Sequence, residues 1–130
     1  MTNAEEWFNK GIELGKQGKY NEAISAFDEA LKLKPDYWNA YLYKSLAFFN
    51  SRRPMDAIAT LDAAIAMKKD FGDAWMAKAI IYAAIKDKMN MLECLATAIK
   101  IDPQYIEAAR RNSYINDFAK DKDVQKLLKK

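Results

Sequence analysis

Acid–base chemistry in this chain would have to fall to its carboxylates, of which Glu5, Glu6, Asp28, Glu29, Asp56 and Asp62 are representative. A hydrolytic or metal-assisted reaction needs two such groups held together with a base or a further ligand beside them. Their spacing instead spreads them over water-facing positions of helices, where charge serves solubility. The sequence contains no histidine, which removes the commonest general base, the Ser-His and Cys-His pairs, and most zinc ligand sets. The segment G-K-Q-G-K at 15–19 lacks the spacing of a phosphate-binding loop and follows a helix where that loop follows a strand. Cys94, beside Leu92 and Leu95, reads as a small packed residue, not a nucleophile. The expectation is a chain with no enzymatic activity, no cofactor and no metal.

Non-covalent recognition is the remaining chemistry. Lys44, Arg52, Arg53, Arg110 and Arg111 could touch phosphates, which makes RNA a possible ligand. However, 21 basic against 18 acidic residues leave a net charge of only +3, the acids are interspersed, and no nucleic-acid motif is present. RNA therefore ranks below the readings that follow. Trp7, Tyr41 and Trp75 invite an aromatic platform for bases or sugars, but each recurs at the same place in a repeating pattern, and that periodicity assigns them to packing.

The pattern is the organising feature of the chain. The wording A-I-S-A-F-D-E-A-L-K-L from Ala23 returns from Ala57 and again from Met91, a constant step of 34 residues. Apolar residues at three-and-four spacing predict helices over 4–17, 20–33, 37–50, 54–67, 71–85, 89–101 and 105–119, with a short further helix from Asp121. Asn3 with Glu6 predicts a cap for the first helix, Gly18 a turn, Pro35 a stop and Pro54 a start. Small residues at Gly11, Ser45, Ala79 and Ser113, and at Ala30, Ala64 and Ala98, mark where paired helices cross closely. Val124, Leu127 and Leu128 share one side of the final helix, which reads as a cap over the last apolar face.

At 130 residues one domain is expected, burying roughly 65–70% of its unfolded surface. The single cysteine fits a reducing compartment. The amino end lacks the apolar run of a secretory signal, and no apolar stretch approaches the ~20 residues of a membrane span. A cytoplasmic protein with no membrane partner is expected.

Trp7, Gly11, Leu14, Ala23, Phe27, Ala30 and Pro35 stand in the order and spacing of a tetratricopeptide repeat, which the chain resembles three times in register. The second set is Tyr41, Ser45, Phe48, Ala57, Leu61 and Ala64; the third is Trp75, Ala79, Tyr82, Leu95, Ala98 and Pro103. The resemblance covers about 4–116. Departures are Lys10, Lys44 and Lys78 where the family usually has leucine, Lys69 for the closing proline of the second unit, and Met91 for a small residue, which predicts a looser third pair. The resemblance implies an all-α fold, a right-handed α-α superhelix of three full helix pairs (units 4–36, 37–70 and 71–104) plus a partial fourth unit and a C-terminal capping helix over 105–130. It also implies a scaffold that binds a protein or peptide in a concave groove lined by the first helix of each pair.

With Trp7, Gly11 and Leu14 facing the partner helix, helical geometry puts Glu5, Phe8, Asn9 and Ile12 on the adjoining face. Carried through the repeat, the expected partner-binding set is Phe8, Ile12, Asn39, Leu42, Tyr43, Leu46, Met76, Ile80, Arg110 and Tyr114. Such a lining suits an amphipathic helix or apolar peptide of a partner protein. One subclass of the family grips acidic chaperone tails through lysines, asparagines and an arginine; the matching positions here are Phe8, Ile12, Tyr43, Asp73 and Ala77, so that clamp is not expected. Self-association as a homodimer through the same groove, or covering of the groove by the chain itself, are the alternatives.

Overall fold

The computed structural model describes residues 3–129, and among these every regular element is helical. In chain order they are α1 (Ala4–Lys16), α2 (Tyr20–Leu33), α3 (Trp38–Asn50), α4 (Pro54–Met67), α5 (Gly72–Ala84), α6 (Lys88–Ile101), α7 (Tyr105–Arg111), α8 (Ser113–Asn116) and α9 (Lys122–Leu128). The chain divides into two compact units, Met1–Ala64 and Ile65–Lys130. No helix among the described residues is long and apolar enough to cross a membrane.

In the first unit α1 opens with the expected capping box: Asn3 Oδ1 accepts from the Glu6 amide at 2.8 Å, and Glu6 Oε1 accepts from the Asn3 amide at 3.1 Å. Two donors left without an intrahelical partner are thereby satisfied. α1 packs along α2 through Gly11, where a Cβ would stand 2.5 Å from Cε1 of Phe27. The absence of a side chain lets the Phe27 ring lie on the α1 backbone, buried with Ala23, Ala30 and Ala40. α3 adds to α2, and Lys44 explains how a cation replaces a leucine there. Its stem is largely covered, while its ammonium pairs with Asp28 at 2.7 Å and lies 5.9 Å from the Phe48 ring. Lys10 and Lys78 likewise place their ammonium groups over the rings of Trp7, at 5.1 Å, and Trp75, at 4.9 Å.

The turns inside successive helix pairs place Gly18, Arg52 and Lys86 at φ 77°, 66° and 65°. Glycine adopts this left-handed region freely, but a Cβ there is strained by about 1–2 kcal/mol. Lys86 has compensation in a pair with Asp117 at 3.3 Å and a ring contact with Phe118. Arg52→Gly is therefore expected to raise stability by about 0.5–1 kcal/mol once the added freedom of the unfolded chain is subtracted. Urea unfolding of the variant checks this, and an unchanged or lower midpoint would show that the guanidinium has a stabilising contact of its own.

The second unit is built on a buried cluster of Met76, Ala79, Ala83, Met91, Cys94, Leu95, Ala98, Ala109, Ile115 and Val124. Met91 does not loosen this pair. It is fully buried, and the small Ala79 and Ala83 in the same cluster leave it room. Gly72 again serves close approach, since a Cβ would stand 2.8 Å from Cε2 of Tyr105. Tyr105 donates its hydroxyl hydrogen to Asp73 Oδ1, and burial followed by that carboxylate pushes its phenol pKa up.

The expected long helix over 105–119 is broken, which corrects the sequence reading. Asn112 is extended (φ −80°, ψ 125°), and its side chain accepts from the amides of Tyr114 and Ile115 at 3.0 and 3.1 Å. An asparagine that can cap locally competes with continuing the helix. α7 also begins at Tyr105, one repeat position earlier than α3 and α5, for which Tyr37 and Phe71 are N-caps. One residue turns a helix face by about 100°, and here Ala109 is buried while Ala108, which lies 34 residues after the buried Ala74, is exposed. Ser113, expected as the fourth small packing residue, is exposed at the start of α8. The chain closes with α9, capped by Asp121 and inserting Val124, with Leu127 and Leu128 packed against the same cluster. Lys88 holds α9 from α6 by pairing with Asp121 at 2.7 Å and Asp123 at 3.1 Å, and the first of these contacts lowers the Asp121 pKa.

Candidate functional site

The first unit carries an open cleft of 370 Å³ between α1 and α3, closed below by α2. Phe27 forms its floor, Ile12 and Gly15 come from α1, Tyr43, Leu46 and Ala47 from α3, and Tyr20 from the start of α2; Lys16 and Asn50 stand at the ends of the flanking helices. Tyr43 is 40% exposed and Leu46 49% exposed, large values for apolar side chains that share one concavity. The wall is fixed from behind by four aromatic rings. Phe8 lies 5.8 Å from Phe27, 4.8 Å from Tyr37 and 5.4 Å from Tyr43, the last edge to face. Such contacts set the Tyr43 ring in place before any ligand arrives.

Of the expected partner-binding set, Ile12, Tyr43 and Leu46 are thus brought together. Phe8 is not part of the lining: at 9% exposure it belongs to the core of its unit, because an aromatic side chain on a helix folds back over the preceding turn and here meets Tyr37. Asn39 is exposed on α3, and Leu42 is half-buried outside the cleft. In the second unit Met76, at 6% exposure, is a core residue with Ile80 packed partly against it. Arg110 is engaged with Glu107 at 2.9 Å and with the Leu128 carbonyl, and lines a separate 360 Å³ cleft with Ile115, Val124 and Leu128. Tyr114 is exposed on α8. Gly15, Tyr20, Phe27 and Ala47 escaped the periodicity argument, which placed only one face of each first helix; two glycines four apart in α1 were the available signal.

The other candidate chemistries find these surroundings. Lys44 and Arg53 are paired with Asp28 and Asp56. Cys94 is buried, and Trp7, Tyr41 and Trp75 are half-buried; Tyr41 donates its hydroxyl hydrogen to the Pro35 carbonyl at 3.1 Å and Trp75 its indole hydrogen to the Lys69 carbonyl at 3.0 Å. Among the described residues no three His, Cys, Asp or Glu side chains are grouped to hold a metal ion.

Residues 4–37 and 44–106 match two family models, each described as tetratricopeptide repeat. Over 47 residues, 36% of this chain, the sequence is 39% identical to an uncharacterized protein of Methanocaldococcus jannaschii, and the match spans 55% of that relative. Among solved structures, MamA from Desulfovibrio magneticus, residue 41 to its end, aligns with a TM-score of 0.72 at 23% identity, covering 96% of this chain and 71% of that one. The first repeat domain of Spaghetti (RPAP3), bound to an HSP90 peptide, gives 0.73 at 19% identity with coverage of 98% and 94%. The TPR2B domain of yeast Sti1 in complex with pHsp70 gives 0.70 at 24% identity with coverage of 96% and 92%. At such identities these likenesses show a shared fold.

Proposed function

The chain belongs to the tetratricopeptide repeat family, whose members are generally non-enzymatic interaction modules, and we propose that this one takes up an apolar or amphipathic segment of a partner protein in the α1–α3 cleft. The observation that carries the reading is the exposure of Tyr43 and Leu46 beside Ile12 over a preformed aromatic floor. An apolar side chain seated there leaves water on both partners. The Spaghetti domain was solved with an HSP90 peptide and the Sti1 domain with pHsp70, but a ligand of clamp type does not suit this chain. Phe8, Ile12, Tyr43, Asp73 and Ala77 occupy the five clamp positions, and none supplies a cation or an asparagine amide. The pairing of Lys44 and Arg53 with carboxylates also speaks against RNA as the principal ligand. The cytoplasm, where a lone buried thiol persists, is the compartment that suits this role.

Joint substitution Tyr43→Glu and Leu46→Glu is expected to weaken partner capture at least about tenfold, with helical content by circular dichroism unchanged. Undiminished capture would take the cleft out of consideration. Sedimentation over a wide concentration range separates the homodimer: a wild-type dimer that the same substitutions dissociate would identify the occupant as a second copy.

A further inference from the structure

Gly11 and Gly15 lie one turn apart on α1 and differ in what they accomplish. At Gly11 the missing side chain is required by the Phe27 ring; at Gly15 an added Cβ would meet nothing within 4 Å. Glycine weakens a helix relative to alanine, and no contact within the fold accounts for its use at 15. What its absence of side chain does is extend the cleft down to the α1 backbone. The next residue, Lys16, lines the same cleft and makes no ion pair among the described residues. Lys16 is the one charged residue of the lining; in the chain, Lys19 directly precedes the lining Tyr20 and Arg52 follows the lining Asn50 by two residues, while Arg53 is engaged by Asp56 and Glu13 is the one acid of 13–20.

Resting on the docking reading above, we propose that the cleft is a two-part subsite. One large apolar side chain of the partner packs on the bare backbone at Gly15 between Tyr43 and Leu46. A carboxylate of the same segment, within one turn of that anchor, pairs with Lys16. Charge complementarity selects an acidic neighbour: a basic one would stand against Lys16, the one charged residue of the lining, and like charge held close is repelled.

Selection of a random dodecapeptide library displayed on phage against the wild-type protein tests this without a known partner. The expected winners carry a large apolar residue with Asp or Glu within four positions. Gly15→Leu, which fills the hollow, should weaken the winners at least about tenfold without lowering the urea midpoint, and Lys16→Glu should shift the selected neighbour from acidic to basic. Winners without an acidic preference, or winners that bind Gly15→Leu as they bind wild type, overturn the subsite. If those winners still fail on the Tyr43→Glu, Leu46→Glu protein, the docking reading survives that loss. A library yielding no enriched sequence removes both.

Discussion

Phe27→Ala is expected to lower the free energy of unfolding by about 4 kcal/mol, a large share of the roughly 5–15 kcal/mol typical of a domain. The ring is almost wholly buried, lies against the α1 backbone at Gly11, and supports Phe8 at 5.8 Å and Tyr43 at 6.2 Å. Its removal leaves a void that the helices cannot close without losing the aromatic contacts behind the cleft. The specific cause is separable from generic core loss by a cycle with Gly11→Ala. In the wild-type background the added methyl meets the ring at 2.5 Å, and overpacking of that kind costs about 1–3 kcal/mol, partly offset by about 1 kcal/mol of helix propensity. In the Phe27→Ala background the same methyl enters the void and should stabilise. Urea unfolding of the four proteins is expected to give a coupling of about 2 kcal/mol. Additive effects would show that the glycine and the ring do not depend on each other. Since Phe27 is also the floor of the cleft, the single substitution should weaken partner capture, which Gly11→Ala in the same background would not restore.

How far the sequence revealed this arrangement depends on how local each cause is. The period of 34 residues placed the first six helices to within a residue or two at their ends, because capping at Asn3, the turn at Gly18 and the start at Pro54 are decided by neighbours in the chain. Gly11 and Ala79 were legible as points of close helix packing for the same reason, their repetition standing for a repeated geometry, and Ser45 at the same repeat position is buried. The cleft was less legible. Ile12, Tyr43 and Leu46 follow from a helical face, but whether a large residue at the edge of that face turns outward or inward depends on what lies across from it. Phe8 turns inward because Tyr37 and Phe27 are there to receive it, and Met76 does so within the Ala79–Met91 cluster. The departure of the fourth unit was hidden in one residue: Asn112 fits a helical pattern by position yet offers the backbone a competing cap.

Ile115→Ala should be the most damaging single change in the second unit's end, lowering stability by about 3 kcal/mol. Ile115 is fully buried in the cluster with Met76, Ala79 and Val124, and it reaches that place only because α7 stops at Arg111 and α8 begins anew. Asn112→Ala, which removes both side-chain acceptors at that break, is expected to lower stability by about 1 kcal/mol while preserving helical content, since alanine favours the continuous helix that the asparagine interrupts. The two substitutions act on one event, the seating of Ile115, so their combined effect should fall short of the sum. Hydrogen exchange provides the local reading: amides of α6 and α9 should lose protection in either variant, because Val124 and Leu95 share the cluster that Ile115 completes. A loss below about 1 kcal/mol for Ile115→Ala, with α9 still protected, would mean that Lys88 and its two aspartates hold the terminal helix without that side chain.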